Sequence, residues 1–304
     1  MRYPSMVGVV VTIMKAPFCV VSEGKYIVFQ GGLSKAIMGA FGEGGLMKPS
    51  DMIDRTRYEA LHCPVRQFCP LAFLCAKRLH DGRHLLPAIA EVGYHEMVWT
   101  DLTVRRRVYV VRRGLLVNKC FVNNGVEVPQ ALFAPGSVAG IPDIYVPYVA
   151  SDFYFFVGLV PGQLCDFDGE VVRSQIDALG VPEAQMVLSR ISLNCTTSMY
   201  GQSLTFAHPR AREKVVSVLL RLESAFARCA DFTGEVPIAH DDVAFLAGLE
   251  RATASRELKA LAKEGLIGLG YRRIDVLPGL RAAYGGLIEA SLPFYGNDWS
   301  AVSA

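Results

Sequence analysis

Charge of one sign is what this 304-residue chain lacks first: 31 Lys and Arg stand against 29 Asp and Glu, a formal net charge of +2. Global charge therefore identifies no partner, and any surface for nucleic acid has to be a local patch. Long hydrophobic runs are missing too. The longest, Val7 to Met14 (VGVVVTIM), ends at Lys15, far short of the roughly 20 residues a membrane span needs. No small-residue cleavage site follows it, so the chain is expected to stay in the cytoplasm, away from membranes, where disulfides are rare. There is no P-loop, no dinucleotide fingerprint and no pairing of a nucleophile with a base, so nothing marks an enzyme.

Cysteine is not lacking. There are eight, and HCPVRQFCPLAFLC, His62 to Cys75, spaces three of them as C-x5-C-x5-C: Cys63, Cys69 and Cys75. Chelation, oxidation and plain burial are all open to such a set. The prolines after Cys63 and Cys69 read as loop and argue against a core helix through Cys69. Cys19, Cys120, Cys195 and Cys229 sit in apolar contexts and read as core. His80 and His84 are spaced i, i+4, but with no third ligand nearby they read as a solvated helix face. His95 and Trp99 have no partner visible in the sequence.

The chain is long enough for two domains with cores of their own. Residues 1–55 hold a short strand candidate, YIVFQ, and the Gly-rich GGLSKAIMGAFGEGG, and read as an extension without chemistry. From Val104 to Val172 the pattern is β: VYVVRRG, LLVNKCFV, VEVPQALF and DFYFFVGL are β-branched and aromatic runs. They are punctuated by Asn123–Gly125 and by PGSVAG. Asn124-Gly125 is a tight-hairpin signal, because such turns need φ > 0. Closely spaced strands without helices between them imply an antiparallel barrel or roll.

After Pro182 the period becomes helical. EAQMVLSRISLNCTTSMYGQSLTFA is a long helix with Leu188, Ile191, Cys195, Ser198 and Gln202 at 3/4 spacing, a seam of the kind that pairs helices. PRAREKVVSVLLRLESAFARC is a second, with Val215, Leu219, Leu222 and Phe226 on one face and Pro209 in its first turn. Asp241 to Ala247 and about Arg251 to Glu264 are two short helices joined through Gly248. A break at Gly265 and a strand from Tyr271 to Val276 follow, which together make a winged helix-turn-helix. Arg251, Arg256, Lys259 and Lys263 lie on or near one face of its second helix, with Arg272 and Arg273 on the wing. The plainer reading of those cations is a solvated helix face.

In that order, and in VYVVRRGLL, ALFAPGSVAG and AGLERATASRELKALAKEGLI, the chain from about Cys63 to Leu280 resembles the Crp/Fnr family of bacterial transcription regulators. The resemblance implies an α+β architecture: residues 1–55 an extension and 56–181 a cyclic-nucleotide-binding-like β-roll (jelly-roll) sensor domain with an N-terminal cysteine loop. Residues 182–207 become a dimerisation helix, 208–285 a winged helix-turn-helix and 286–304 a tail. It also implies a homodimer on two-fold symmetric double-stranded DNA, with RNA polymerase as a further partner. Cyclic-nucleotide members hold a phosphate with a Gly-Glu turn and an Arg. Here the turn reads AGIP, with Ile141 in place of Glu, and no arginine lies between Arg113 and Arg173, so no cyclic nucleotide is expected.

CPVRQFC is similar to the second and third cysteines of the FNR oxygen sensors, and GQLCDFD puts Cys165 where their fourth ligand stands. Ala60 occupies the place of their first ligand, and Cys75 is the substitute. The implied ligand set is Cys63, Cys69, Cys75 and Cys165 on an iron–sulfur cluster, such as [4Fe-4S], or on zinc. A regulator of the same fold taking haem or an apolar effector in the roll, or a zinc-stabilised protein that no longer binds DNA, are the alternatives. In the DNA-reading row, A-T-A-S-R keeps Ser255 and Arg256 of the family's E-x-x-S-R, while Ala252 replaces the glutamate. Arg251, Thr253, Ser255, Arg256, Lys259, Arg272 and Arg273 are the DNA-binding candidates.

Overall fold

The β-branched and aromatic residues between Arg105 and Asp168 form the frame that carries the rest of the chain in this computed structural model. It describes residues 63–76, 85–102, 105–122, 125–146, 154–227 and 234–288, with backbone at 20–22 and 25–27. His62, His80, His84, Cys19, Cys229 and Asn124 lie outside the described residues.

In chain order, β1 (Val20–Ser22) and β2 (Lys25–Ile27) make a small antiparallel hairpin that includes Tyr26 and Ile27 of the expected YIVFQ strand, whose other residues lie outside those described. A turn from Cys63 leads into the short helix α1 (Ala72–Ala76). The roll follows: β3 (Ala88–Val92), β4 (Met97–Val98), β5 (Asp101–Leu102), β6 (Arg105–Val122), β7 (Val126–Phe133), β8 (Val138–Ala139), the helix α2 (Ile141–Tyr145) and β9 (Tyr154–Asp168). All its pairings are antiparallel. β6 pairs with β5, β7, β8 and β9, and β9 with β3 and β4.

VYVVRRG and LLVNKCFV, two strands by sequence, are one. β6 runs through both and bends at Gly114, where φ is +81 and a Cβ would meet the carbonyls of Val160 and Pro161. The bend lets one strand serve two ends of the roll: its first half pairs with β8, its second with β7. Gly125 takes φ +72 between the paired Val122 and Val126, as a tight turn requires.

The β reading to Val172 is too long. Asp168 ends β9 and caps the helix α3 (Gly169–Asp177), its carboxylate accepting from the N–H groups of Glu170 and Val171. Next come α4 (Val181–Ala207) and α5 (Ala211–Phe226). Val215, Leu219, Leu222 and Phe226 are buried, as their spacing predicts. Pro209 falls before the N-cap Arg210, outside the helix and not in its first turn. The C-terminal unit comprises β10 (Glu235–Val236), α6 (His240–Ala247), α7 (Arg251–Lys263), the wing strands β11 (Ile267–Gly270) and β12 (Arg273–Val276), and α8 (Pro278–Tyr284). Ile288 is buried with Leu220 and Leu280, so this unit extends past the expected boundary at 285.

The core has three parts. One fills the roll, with Val111, Leu116, Phe133, Phe156 and Leu164. One lies between the cysteine turn, β6, β9, α3 and the first turns of α4. The third joins the far end of the roll, Leu115, Val117 and Phe155, to α5, α6 and α7.

Candidate functional site

The turn that begins at Cys63 is tied by backbone bonds from Arg66 to Cys63 and from Cys69 to Val65, and Ala72 then bonds back to Cys69 to open α1. The chain through Cys69 is therefore turn, as its prolines indicate. It lies directly on the roll: at Gly136, with φ +88, a Cβ would stand 2.7 Å from the Cβ of Phe68. Cys165, on β9 beside Val110 of β6, faces the same place. Cys63, Cys69, Cys75 and Cys165 line one cleft together with Val65, Arg66, Ala72, Val110 and Phe167.

Burial pushes the Cys69 thiol well above its ordinary pKa, and the sulfurs of Cys165, Cys75 and Cys63 push it the same way against a hydrogen bond from the Leu71 backbone. None of the six described cysteines is in a disulfide. The cleft's cavity is about 10 Å³, room for one water. Among the described residues no three side chains stand at metal-ligand geometry. The four thiols are thus a gathered donor set whose chemistry suits a soft metal or an iron–sulfur centre. Cys120 and Cys195 are half-buried and stand apart from this cleft.

The predicted pairing seam packs within its own chain. Ile191 is buried in the core beneath the cysteine turn, with Leu188 packed against it, and Cys195 packs on the roll interior. Ser198 is bonded to both the N–H and the C=O of Leu132 on β7. Gln202 donates to the Leu246 carbonyl at the end of α6 and accepts from Arg221. Polar side chains at seam spacing suit a weak helix pair, which is why the sequence points to an interface here; their partners are instead backbone and an arginine of the same chain.

The face left open is the next stripe of α4: Met186, Ser189, Thr196, Tyr200 and Ser203 are exposed, and Leu193 is half-buried. Arg221, only 2% exposed, is a residue that sequence reasoning misses. Its guanidinium donates to Gln202, Thr205 and the Ser198 carbonyl, all neutral, and its Nε has no partner. An arginine inside the apolar run VVSVLLRL is the signal that could have found it.

The helix-turn-helix forms as its spacing predicts. Gly248 turns between α6 and α7 with φ +60, where a Cβ would press on Phe206. On α7, Ala254, Leu258 and Leu261 are buried, which turns Ala252, Arg256, Lys259 and Lys263 to solvent. Arg256 has 71% of its side chain exposed and only a loose pair with its neighbour Glu257, at 3.6 Å. Thr253 and Ser255 are half-buried, and Ser255 Oγ lies 3.4 Å from His240 Nδ1. Three other candidates are engaged within the chain: Arg251 with Asp241 at 2.7 Å, Arg273 with Glu235 at 3.3 Å, and Arg272 on the ring of Tyr94. Tyr271, at the wing's tip, is 91% exposed.

Residues 213–282 match the Crp-like helix-turn-helix domain. The antiparallel roll and the long helix stand ahead of this matched domain. Among curated proteins the chain is similar to the global nitrogen regulators of Nostoc sp. strain PCC 7120 and Synechococcus elongatus. The first is 27% identical over 172 residues, covering 56% of this chain and 76% of the relative; the second is 28% identical over 180, covering 56% and 77%. Among solved structures, FixK2 from Bradyrhizobium japonicum shares the fold with a TM-score of 0.53 at 18% identity, over 67% of this chain and 98% of that one. A CRP/FNR-family regulator from Thermus thermophilus does so with 0.50 at 21%, over 65% and 98%.

Proposed function

We propose that the chain is a dimeric DNA-binding regulator whose signal is read at Cys63, Cys69, Cys75 and Cys165. The observation that supports this is their convergence: a turn, a short helix and a roll strand far along the chain deliver four sulfurs to one cleft. An iron–sulfur cluster would supply sensitivity to oxygen and redox state, its ligands binding as thiolates. Zinc would take the same donors without the redox chemistry. Arg66 puts a positive charge beside what would be an anionic centre.

The cleft is built on the same core as Ala184, Val187 and Leu188, the first turns of α4. A change in how the turn is held therefore reaches the helix whose other face is free to pair with a second copy. At the far end, Arg256 is the residue best placed to take a guanine in the major groove, with Lys259 and Lys263 on phosphates. Ala252 cannot accept from cytosine, so the half-site should differ from the one its FNR-like counterparts read. RNA polymerase is the further partner such a cytoplasmic regulator would engage. The global nitrogen regulators among its relatives support gene regulation in general, not a particular signal.

The test is purification without oxygen, with iron, sulfide, zinc and DNA binding assayed on the wild type and on each Cys→Ser variant. The expected result is iron and sulfide in the wild type and in Cys120→Ser, loss in Cys63→Ser, Cys69→Ser, Cys75→Ser and Cys165→Ser, and weaker DNA binding after exposure to air. If Cys75→Ser alone keeps its iron, the fourth ligand lies elsewhere and His62 is the next candidate. Zinc without sulfide would make the centre structural. No metal in any preparation would overturn the reading.

A further inference from the structure

β3 and β4 pair with β9 one after the other, and the loop that separates them, Gly93-Tyr94-His95-Glu96, reaches the helix-turn-helix. Tyr94 Oη donates to the two carboxylate oxygens of Asp242 on α6, at 3.1 and 3.0 Å. His95 Nε2 lies 3.1 Å from the same carboxylate, whose side chain is only 4% exposed. Asp242 also accepts from the Ala239 N–H and so closes the cap of α6. Tyr94 stacks on His95 with ring centroids 3.9 Å apart, and the wing's Arg272 sets its guanidinium 3.8 Å from the Tyr94 centroid. Burial and the Asp242 carboxylate push the Tyr94 hydroxyl up to about 12, so it remains a donor at neutral pH.

Two further observations mark this contact as imposed. His95 (φ 59) and Arg272 (φ 52) are the non-glycine residues with left-handed backbone among the described residues, and both are in it. Such a conformation is costly and persists where the surroundings fix it. The roll does the fixing at one end: the His95 N–H donates to the Gly158 carbonyl at 2.7 Å, and the Gly93 N–H to Glu96 Oε2 at 2.5 Å.

We propose that Tyr94 and His95 form an intramolecular latch that holds the helix-turn-helix against the roll and competes with DNA phosphate for Arg272. A guanidinium lying on the Tyr94 ring is withdrawn from phosphate, while the open face of α7 is untouched. DNA can then be met first by α7 alone, and full engagement of the wing requires the latch to open. The competition rests on the DNA-binding reading; the latch itself does not.

The experiment uses the full chain as wild type, Tyr94→Ala, Arg272→Ala and the double variant, with Tyr94→Phe, which keeps the ring and removes the hydroxyl, as the milder version should Tyr94→Ala fail to fold. Amide hydrogen exchange without DNA should quicken in residues 267–276 and in α6 when Tyr94 is replaced. On a random-sequence duplex of ~30 bp, Tyr94→Ala should steepen the fall of log affinity with log salt by about 0.9 for each wing that engages. In the Arg272→Ala background the replacement of Tyr94 should bring no such gain, so the double variant and Arg272→Ala should share one slope. Wild-type exchange rates in Tyr94→Ala overturn the latch, and faster exchange with an unchanged slope overturns the competition. If the wild type binds no duplex at any salt, the DNA-binding reading falls and exchange alone decides whether the latch stands.

Discussion

At Cys69, burial and three neighbouring sulfurs act in one direction, keeping the proton on the folded thiol. Below the ordinary thiol pKa of about 8.5 both folded and unfolded chains are protonated there, and stability does not change with pH. Above it the unfolded chain loses the proton while the folded one keeps it. Metal-free protein should therefore lose stability as pH rises through that value, by at most about 1.4 kcal/mol per pH unit from this group. Thermal melts of chelator-treated, reduced protein between about pH 7 and 9.5 should fall more steeply for wild type than for Cys69→Ala. Equal slopes would mean that Cys69 is not held as described. The spacing of Cys63, Cys69 and Cys75 was legible in the sequence, and Cys165 entered through the family resemblance. Arg66 in the cleft, Arg221 under α4 and the partner of His95 were not legible. Each of these side chains finds its surroundings on elements distant in the chain, and local spacing carries no trace of that.

The helix α4 shows why a periodic pattern can point to the wrong face. Two stripes at 3/4 spacing run along it, and polar residues occupy both. The inner one, Ile191, Ser198 and Gln202, is polar because it bonds the roll backbone at Leu132, Arg221 and the Leu246 carbonyl. The outer one keeps Met186, Leu193 and Tyr200 one heptad apart, with Ser189 and Thr196 between them and Ser203 after, which is a seam of alternating large and small side chains. Met186→Glu combined with Tyr200→Glu should give a monomer in sedimentation with little change in melting temperature, since both residues are exposed. Gln202→Leu should instead leave the oligomer intact and destabilise the fold by about 1–3 kcal/mol, because the Leu246 carbonyl and a buried guanidinium lose their partner. The opposite outcome for the pair would restore the inner stripe as the interface. By contrast α5, α6 and α7 follow the sequence closely, since their inner faces are apolar and their ends carry glycine or an extended cap.

Across the whole molecule, the roll packs on one side against the cysteine cleft. Ile141, standing where the resemblance expects a glutamate, is buried in the same core as Val110, Cys165 and Ile144. Arg107 is paired with Asp166 and held there by two contacts, and the buried Asp143 takes the hydroxyl of Thr100. The roll's own interior is closed by Phe133 against Phe156, edge to face at 4.9 Å. A cyclic phosphate would find no free guanidinium between Arg113 and Arg173, where the sequence has none, and its buried charge would go unpaired. Cyclic AMP should therefore leave both melting temperature and DNA affinity unmoved. A ligand present at 100 times its dissociation constant would stabilise the fold by about 2.7 kcal/mol, so a calorimetric scan resolves the difference readily. A saturable shift of that size would place the effector inside the roll and reduce the cysteines to packing. A flat response to the nucleotide, beside a shift on reconstitution with iron and sulfide, would assign sensing to the cleft at the root of α4.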